Sequence, residues 1–157
     1  EMNFLTKFPI MILTLLLLVN CSYEKINSPG QKKFFIQEIN ITGDTRSAFI
    51  IKKRVMRDSN QDSSNKIMMK VDLEENLSIV EKNIQNKVTK YKLSLLAKVL
   101  IDDLNSFNKF ERNYNANSVY EVNERYSTTV ENAKEAKKTA IESIANQILD
   151  DLKINYN

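Results

Sequence analysis

The chain has 157 residues, room for one domain of ordinary size, and its 42% hydrophobic content is enough to pack a core. Lys plus Arg number 23 against 20 Asp plus Glu, and the resulting +3 is too even for the one-sided basic excess of a dedicated nucleic-acid binder. With no histidine and a single cysteine, the familiar His-based catalytic pairs, Cys-cluster metal sites and an internal disulfide are excluded, so neither an enzyme nor a cofactor is expected.

The chain begins with a secretory pattern. Lys7 supplies a short positive region, and residues 8–19 (FPIMILTLLLLV) carry no charge. That run is shorter than the about 20 apolar residues of a spanning helix and matches the apolar region of a signal peptide. Leu18, Val19, Asn20 and Cys21 follow. They resemble the bacterial lipoprotein signal, in which an apolar stretch ends in an acylated cysteine, with Asn20 where Gly, Ala or Ser is usual. A lone cysteine is otherwise most often a buried thiol, but its place directly after the apolar run favours lipidation. Residues 1–20 are therefore expected to be a signal peptide with a lipobox, and residues 21–33 the acylated N-terminus and a polar tether. Residues 34–157 are left as the folded domain.

Residues 34–42 (FFIQEINIT), rich in aromatic and β-branched side chains, predict a strand. Asp44 or Thr45 is placed to cap a helix beginning near Arg46. There Ala48, Ile51 and Val55 form an apolar stripe with Phe49 and Met56 beside it, while Lys52, Lys53, Arg54 and Arg57 face water. Residues 58–65 (DSNQDSSN) read as a loop. A strand follows over 66–81, with Ile67, Met69, Val71 and Leu73 on one face and a further apolar patch at Leu77, Ile79 and Val80. The clearest alternation runs over 89–101. Thr89, Tyr91, Leu93, Leu95, Ala97, Val99 and Ile101 share one face, and Lys90, Lys92, Ser94 and Lys98 the other. After a hairpin loop at 102–108, residues 109–122 return antiparallel with Phe110, Arg112 and Tyr114 on one face. The last helix is expected to be capped by Ser127 or Thr128, with Glu131 in its first turn. Its buried stripe would be Ala133, Ala136, Ala140, Ile144, Ile148 and Leu152, widened by Ile141, Ala145 and Leu149. The order β-α-β-β-β-α predicts an α+β two-layer sandwich: about four strands, mainly antiparallel, with both helices on one face.

The segments VTKYKLSLLAKVLIDD, SVYEVNERYST and NAKEAKKTAIESIANQILDDL resemble the LPS-assembly lipoprotein LptE family in its shorter, α-proteobacterial form. Tyr126 or Tyr120 ahead of Asn132-Ala133, and the Ala145-x-x-Ile148 spacing, carry the resemblance, which is one of layout over residues 18–153. It implies a lipid-anchored protein on the periplasmic face of the outer membrane. Such a protein plugs an LptD β-barrel and assists lipopolysaccharide transport, without catalysis or cofactor. The main alternative is a periplasmic lipid-binding or ABC-transport auxiliary lipoprotein that has no barrel partner.

The candidate contacts for lipopolysaccharide or the barrel are Lys87, Lys90, Lys92 and Lys98, with Arg112 on the neighbouring strand. Basic side chains hold phosphates through charge-assisted hydrogen bonds. The same lysines also suit the ordinary solvated face of a one-sided sheet. Tyr114, Tyr120 and Tyr126 serve either as interface anchors or as strand packing. The adjacent pairs Asp102-Asp103 and Asp150-Asp151 make no metal site, since neighbouring helix residues diverge and turn aspartates bond locally.

Overall fold

Alternating apolar residues carry the chain into strand β1 (Phe35–Gly43), and Asp44 turns it into helix α1 (Thr45–Arg57). The structure, a computed structural model, describes residues 33–156; the expected signal peptide, Cys21 and all but the end of the tether lie outside the described residues. Three long strands follow: β2 (Lys66–Lys82), β3 (Val88–Asp103) and β4 (Lys109–Glu121), and the domain closes with helix α2 (Tyr126–Asn155). This is the predicted β-α-β-β-β-α order.

The four strands lie in sequence order in one sheet. β1 runs parallel to β2, as the crossover through α1 requires, and the two later pairs are antiparallel. Side-chain alternation sorts the sheet into two faces. One face buries Ile67, Met69, Val71 and Leu73 of β2 and Leu93, Leu95, Ala97, Val99 and Ile101 of β3. Both helices cover that face. α1 buries Ser47, Ala48, Ile51 and Val55, and α2 buries Ala136, Ala140, Ile141, Ile144, Ala145, Ile148, Leu149 and Leu152. Small alanines on α2 allow close approach to the sheet, while each fully buried Ile or Leu contributes about 1.5–3 kcal/mol. At its C-terminal end Tyr156 tucks against Phe34, ring centroids 6.4 Å apart, which ties the last residues to the first strand.

Two expectations require correction. α2 begins at Tyr126, one or two residues before Ser127 or Thr128, and Arg125 at its N-cap makes no side-chain capping bond. Thr129 does the local work instead. Its hydroxyl accepts from the Asn123 backbone N–H at 2.8 Å and donates to the Asn123 carbonyl at 3.1 Å. Glu131 consequently falls beyond the first turn, which holds no acid. On α1, Phe49 and Met56 do not join the buried stripe; they are 58% and 40% exposed.

Candidate interaction surfaces

Three surfaces remain once the core is assigned: the sheet face away from the helices, the far end of the β2–β3 hairpin, and the outward side of α1. Among the described residues no group of His, Cys, Asp and Glu gathers as a metal site, and no helix is long and apolar enough to cross a membrane.

The bare sheet face carries Lys90, Lys92 and Lys98 of the predicted basic candidates, and two of these three are already matched by acids. Lys90 bonds Glu81 at 2.8 Å and Lys98 bonds Glu74 at 2.7 Å; Lys109 meets Asp102 at 2.7 Å. The Glu81 bond raises the Lys90 pKa above its ordinary value, and that of Lys98 is raised in the same way by Glu74. Lys92 lies across from Ser78 and Val119 and has no acidic partner among the described residues. Lys87 stands exposed at the hairpin turn, where its backbone N–H donates to the Asn83 side chain at 2.9 Å.

Arg112 does not belong with these lysines. It pairs in register with buried Val99, so it sits on the helix-bearing face. There its Nε lies 3.6 Å from Asp151 of α2, and its guanidinium lies over the Phe110 ring at 5.4 Å. Asp151 also accepts from the Tyr114 hydroxyl at 2.7 Å. Burial first, then that carboxylate, pushes the Tyr114 phenol well above its usual range. Lys90 and Val99 are nine positions apart on β3, roughly 30 Å at strand rise. The structure thus groups Lys90, Lys92 and Lys98 in one row, sets Lys87 at the tip, and separates Arg112 on the opposite face. Of the three tyrosines, Tyr114 is buried, Tyr120 half-buried and Tyr126 82% exposed.

The hairpin end is apolar where a helix layer no longer covers it. Leu77 pairs with Leu93, and the next row joins Ile79, Tyr91 and Tyr120. Leu77 and Ile79 are about half exposed, and the Tyr91 and Tyr120 rings meet at a tilt of 30° with centroids 5.6 Å apart. Leu77, Leu93 and Tyr120, with Val130 and Ala133 of α2, line a groove of about 260 Å³. The sequence placed Leu77, Ile79 and Val80 together; the exposure of Leu77 and Ile79 depends on where α2 begins.

One ionic centre fixes this end. The Lys137 ammonium reaches Asp44 at 2.9 Å and Glu75 at 2.6 Å, joining α2 to the start of α1 and to β2. Asp44 also accepts from the Ser47 hydroxyl at 2.6 Å as the α1 cap. The Ser47 bond, reinforced by Lys137, holds the Asp44 carboxyl far below the ordinary carboxylate range despite its partial burial. A folded-state pKa that is depressed adds stability above the unfolded value near 4, and that stability is lost as pH falls. Asp44→Ala is therefore expected to cost about 1–2 kcal/mol at neutral pH, by loss of the cap and one ion pair. In chemical denaturation the gap between wild type and variant should narrow steadily below about pH 4. A gap independent of pH would show that the carboxylate charge adds nothing.

The class is thus defined by a four-stranded mixed sheet with two helices packed on one face. No family model matches the sequence, and no curated protein matches it. Solved structures do share the fold. Rare lipoprotein B from Shewanella oneidensis matches with a TM-score of 0.55 at 11% identity, covering 75% of this chain and 97% of that one. A lipoprotein from Caulobacter crescentus matches at 0.53 and 12% identity, over 80% and 91% of the two chains. Lipoprotein B from Nitrosomonas europaea matches at 0.53 and 13%, over 76% and 84%. At these identities the likeness is one of fold.

Proposed function

We propose that the chain is an envelope lipoprotein, acylated at Cys21 and held on the periplasmic face of the outer membrane. In this reading it docks in an LptD-type β-barrel and assists lipopolysaccharide transport to the outer leaflet. The observation that carries the proposal is a lipobox-like sequence ahead of a domain whose fold recurs in proteins described as lipoproteins. Two surfaces support it. A polar, ion-paired sheet face suits the polar interior of a barrel. The half-exposed Leu77–Ile79–Tyr91–Tyr120 end offers apolar and aromatic groups of the kind that anchor interfaces.

The chain acts here by binding, so no catalytic group, cofactor or metal is required. For lipopolysaccharide phosphates Lys92 and Lys87 are better placed than Lys90 and Lys98, which must first give up Glu81 and Glu74. Arg112 would contact a different part of the complex.

Mild-detergent purification from native membranes tests the proposal. The protein is expected to bring down an integral β-barrel of much larger mass, identified by mass spectrometry. Recovery of the protein alone would favour a lipid-binding or ABC-transport auxiliary role instead.

A further inference from the structure

Helix α1 is the most one-sidedly charged element of the domain. It carries Arg46, Lys52, Lys53, Arg54 and Arg57 and not one acid. Its buried residues, Ser47, Ala48, Ile51 and Val55, occupy the side toward the sheet. Helical geometry sets Phe49, Ile50 and Met56 on the outward side, interleaved with Arg46 and Lys53. All three apolar side chains are large and exposed, Ile50 at 49%. Between α1 and α2 runs a groove of about 570 Å³, floored by Ile50, Ile141 and Ala145, with Lys53 and Arg54 on its α1 side and Glu142 on its α2 side. Where Lys90, Lys98 and Lys109 of the sheet meet acids, Arg46, Lys53 and Arg54 form no ion pair among the described residues.

The polypeptide outside the described residues joins the domain beside this helix. The Phe34 carbonyl accepts from the Asn60 backbone N–H at 3.0 Å, and the Lys33 carbonyl from the Asn65 side chain at 2.8 Å. Asn60 follows the end of α1 by three residues. Between Cys21 and Lys33 the chain spans at most about 40 Å. A lipid anchor at Cys21 therefore tethers the C-terminal end of α1 within reach of a bilayer surface, about 40 Å at most along the linking chain.

We infer that the outward face of α1 docks on the anionic phospholipid surface of the leaflet that holds the anchor, with Phe49, Ile50 and Met56 entering the headgroup boundary and Arg46, Lys53 and Arg54 meeting lipid phosphates. The inference rests on the lipid-anchor part of the proposed function. Interfacial helices show this combination of basic and bulky apolar side chains. Acyl chains with an added basic patch also make a firmer attachment than a single chain alone. The docked helix holds the domain against the leaflet until a partner is engaged.

The protein contains no tryptophan, so Phe49→Trp introduces a single tryptophan on the face in question, excited selectively over the six tyrosines. The acylated variant is placed on phosphatidylcholine vesicles with and without phosphatidylglycerol, each carrying brominated lipid as quencher. Its emission should shift to the blue and lose at least half its intensity on the anionic vesicles. Added salt, or Arg46→Glu with Lys53→Glu and Arg54→Glu, should reverse both changes. Val119→Trp, on the bare sheet face, should stay unquenched; Met56→Trp repeats the measurement if Phe49→Trp fails to fold. Equal quenching at 49 and 119, or no dependence on anionic lipid, overturns the inference. So does a Phe49→Trp signal that responds only to a purified barrel. The mass of the N-terminal peptide reports the anchor separately. Unacylated protein at higher vesicle concentration still reads α1, so the two failures are distinguishable.

Discussion

Replacing Gly43 with alanine is expected to destabilise the domain by about 3 kcal/mol or more, placing it among the most damaging single substitutions. Gly43 ends β1 with φ +79°, a left-handed conformation that a side chain disfavours. A Cβ there would clash with the Leu73 carbonyl oxygen and come within 2.9 Å of an Asp72 carboxylate oxygen. That carbonyl is not free to move, since it accepts the Asp44 N–H at 2.9 Å. Relief of the clash therefore disturbs the β1–β2 pairing and the α1 cap together, along with the Lys137 bridge that depends on Asp44. Thermal unfolding should show a midpoint lower by about 10 °C or more. A midpoint within a few degrees of wild type would mean that the turn between β1 and α1 can relax without cost.

The second large effect is on location. Exported behind a leader that is cleaved at an Ala-x-Ala site, the Cys21→Ala protein is expected in the soluble periplasmic fraction, while wild type stays with the membrane. The reason is the number of acyl chains: one gives marginal binding, and several together hold firmly. Fractions should be washed at about 1 M salt, where screening reaches only about 3 Å and the basic face of α1 no longer holds lipid. Membrane retention of the Cys21→Ala protein after that wash, with no barrel present, would contradict lipid anchoring.

Much of the fold was legible because alternation and capping are local. The period-two pattern from Thr89 to Ile101 located β3, since one face had to be buried. The cap of α1 was legible as Asp44 or Thr45 from their place ahead of a helical stripe, and Asp44 holds it. The start of α2 was not, because the chain reaches it through the Asn123–Thr129 bonds and not through a side chain at the cap. Phe49 and Met56 show a different limit. Periodicity gives their angle around the helix, yet the width of the buried face depends on how α1 packs against the sheet and beside α2.

The candidate site was less legible, because it depends on register and on where layers end. Phe110, Arg112 and Tyr114 were correctly grouped on one face, but only the β3–β4 register shows that this face is the one under α2. Lys90 and Lys98 were candidate phosphate contacts or a solvated face; their ion pairs with Glu81 and Glu74 arise from the β2–β3 pairing, which a single strand's pattern does not reveal. Leu77 and Ile79 alternate like core residues because they share the core face of β2. They emerge as surface only because the strand outruns the helices.

The central claim is that this domain works from a lipid anchor at Cys21, and the mass of its N-terminal peptide tests it most directly. Protein recovered from native membranes is expected to begin at Cys21 and to carry the added mass of a diacylglyceryl group and a further acyl chain. A peptide in which Asn20 still precedes Cys21, or one beginning at an unmodified Cys21, would contradict the account.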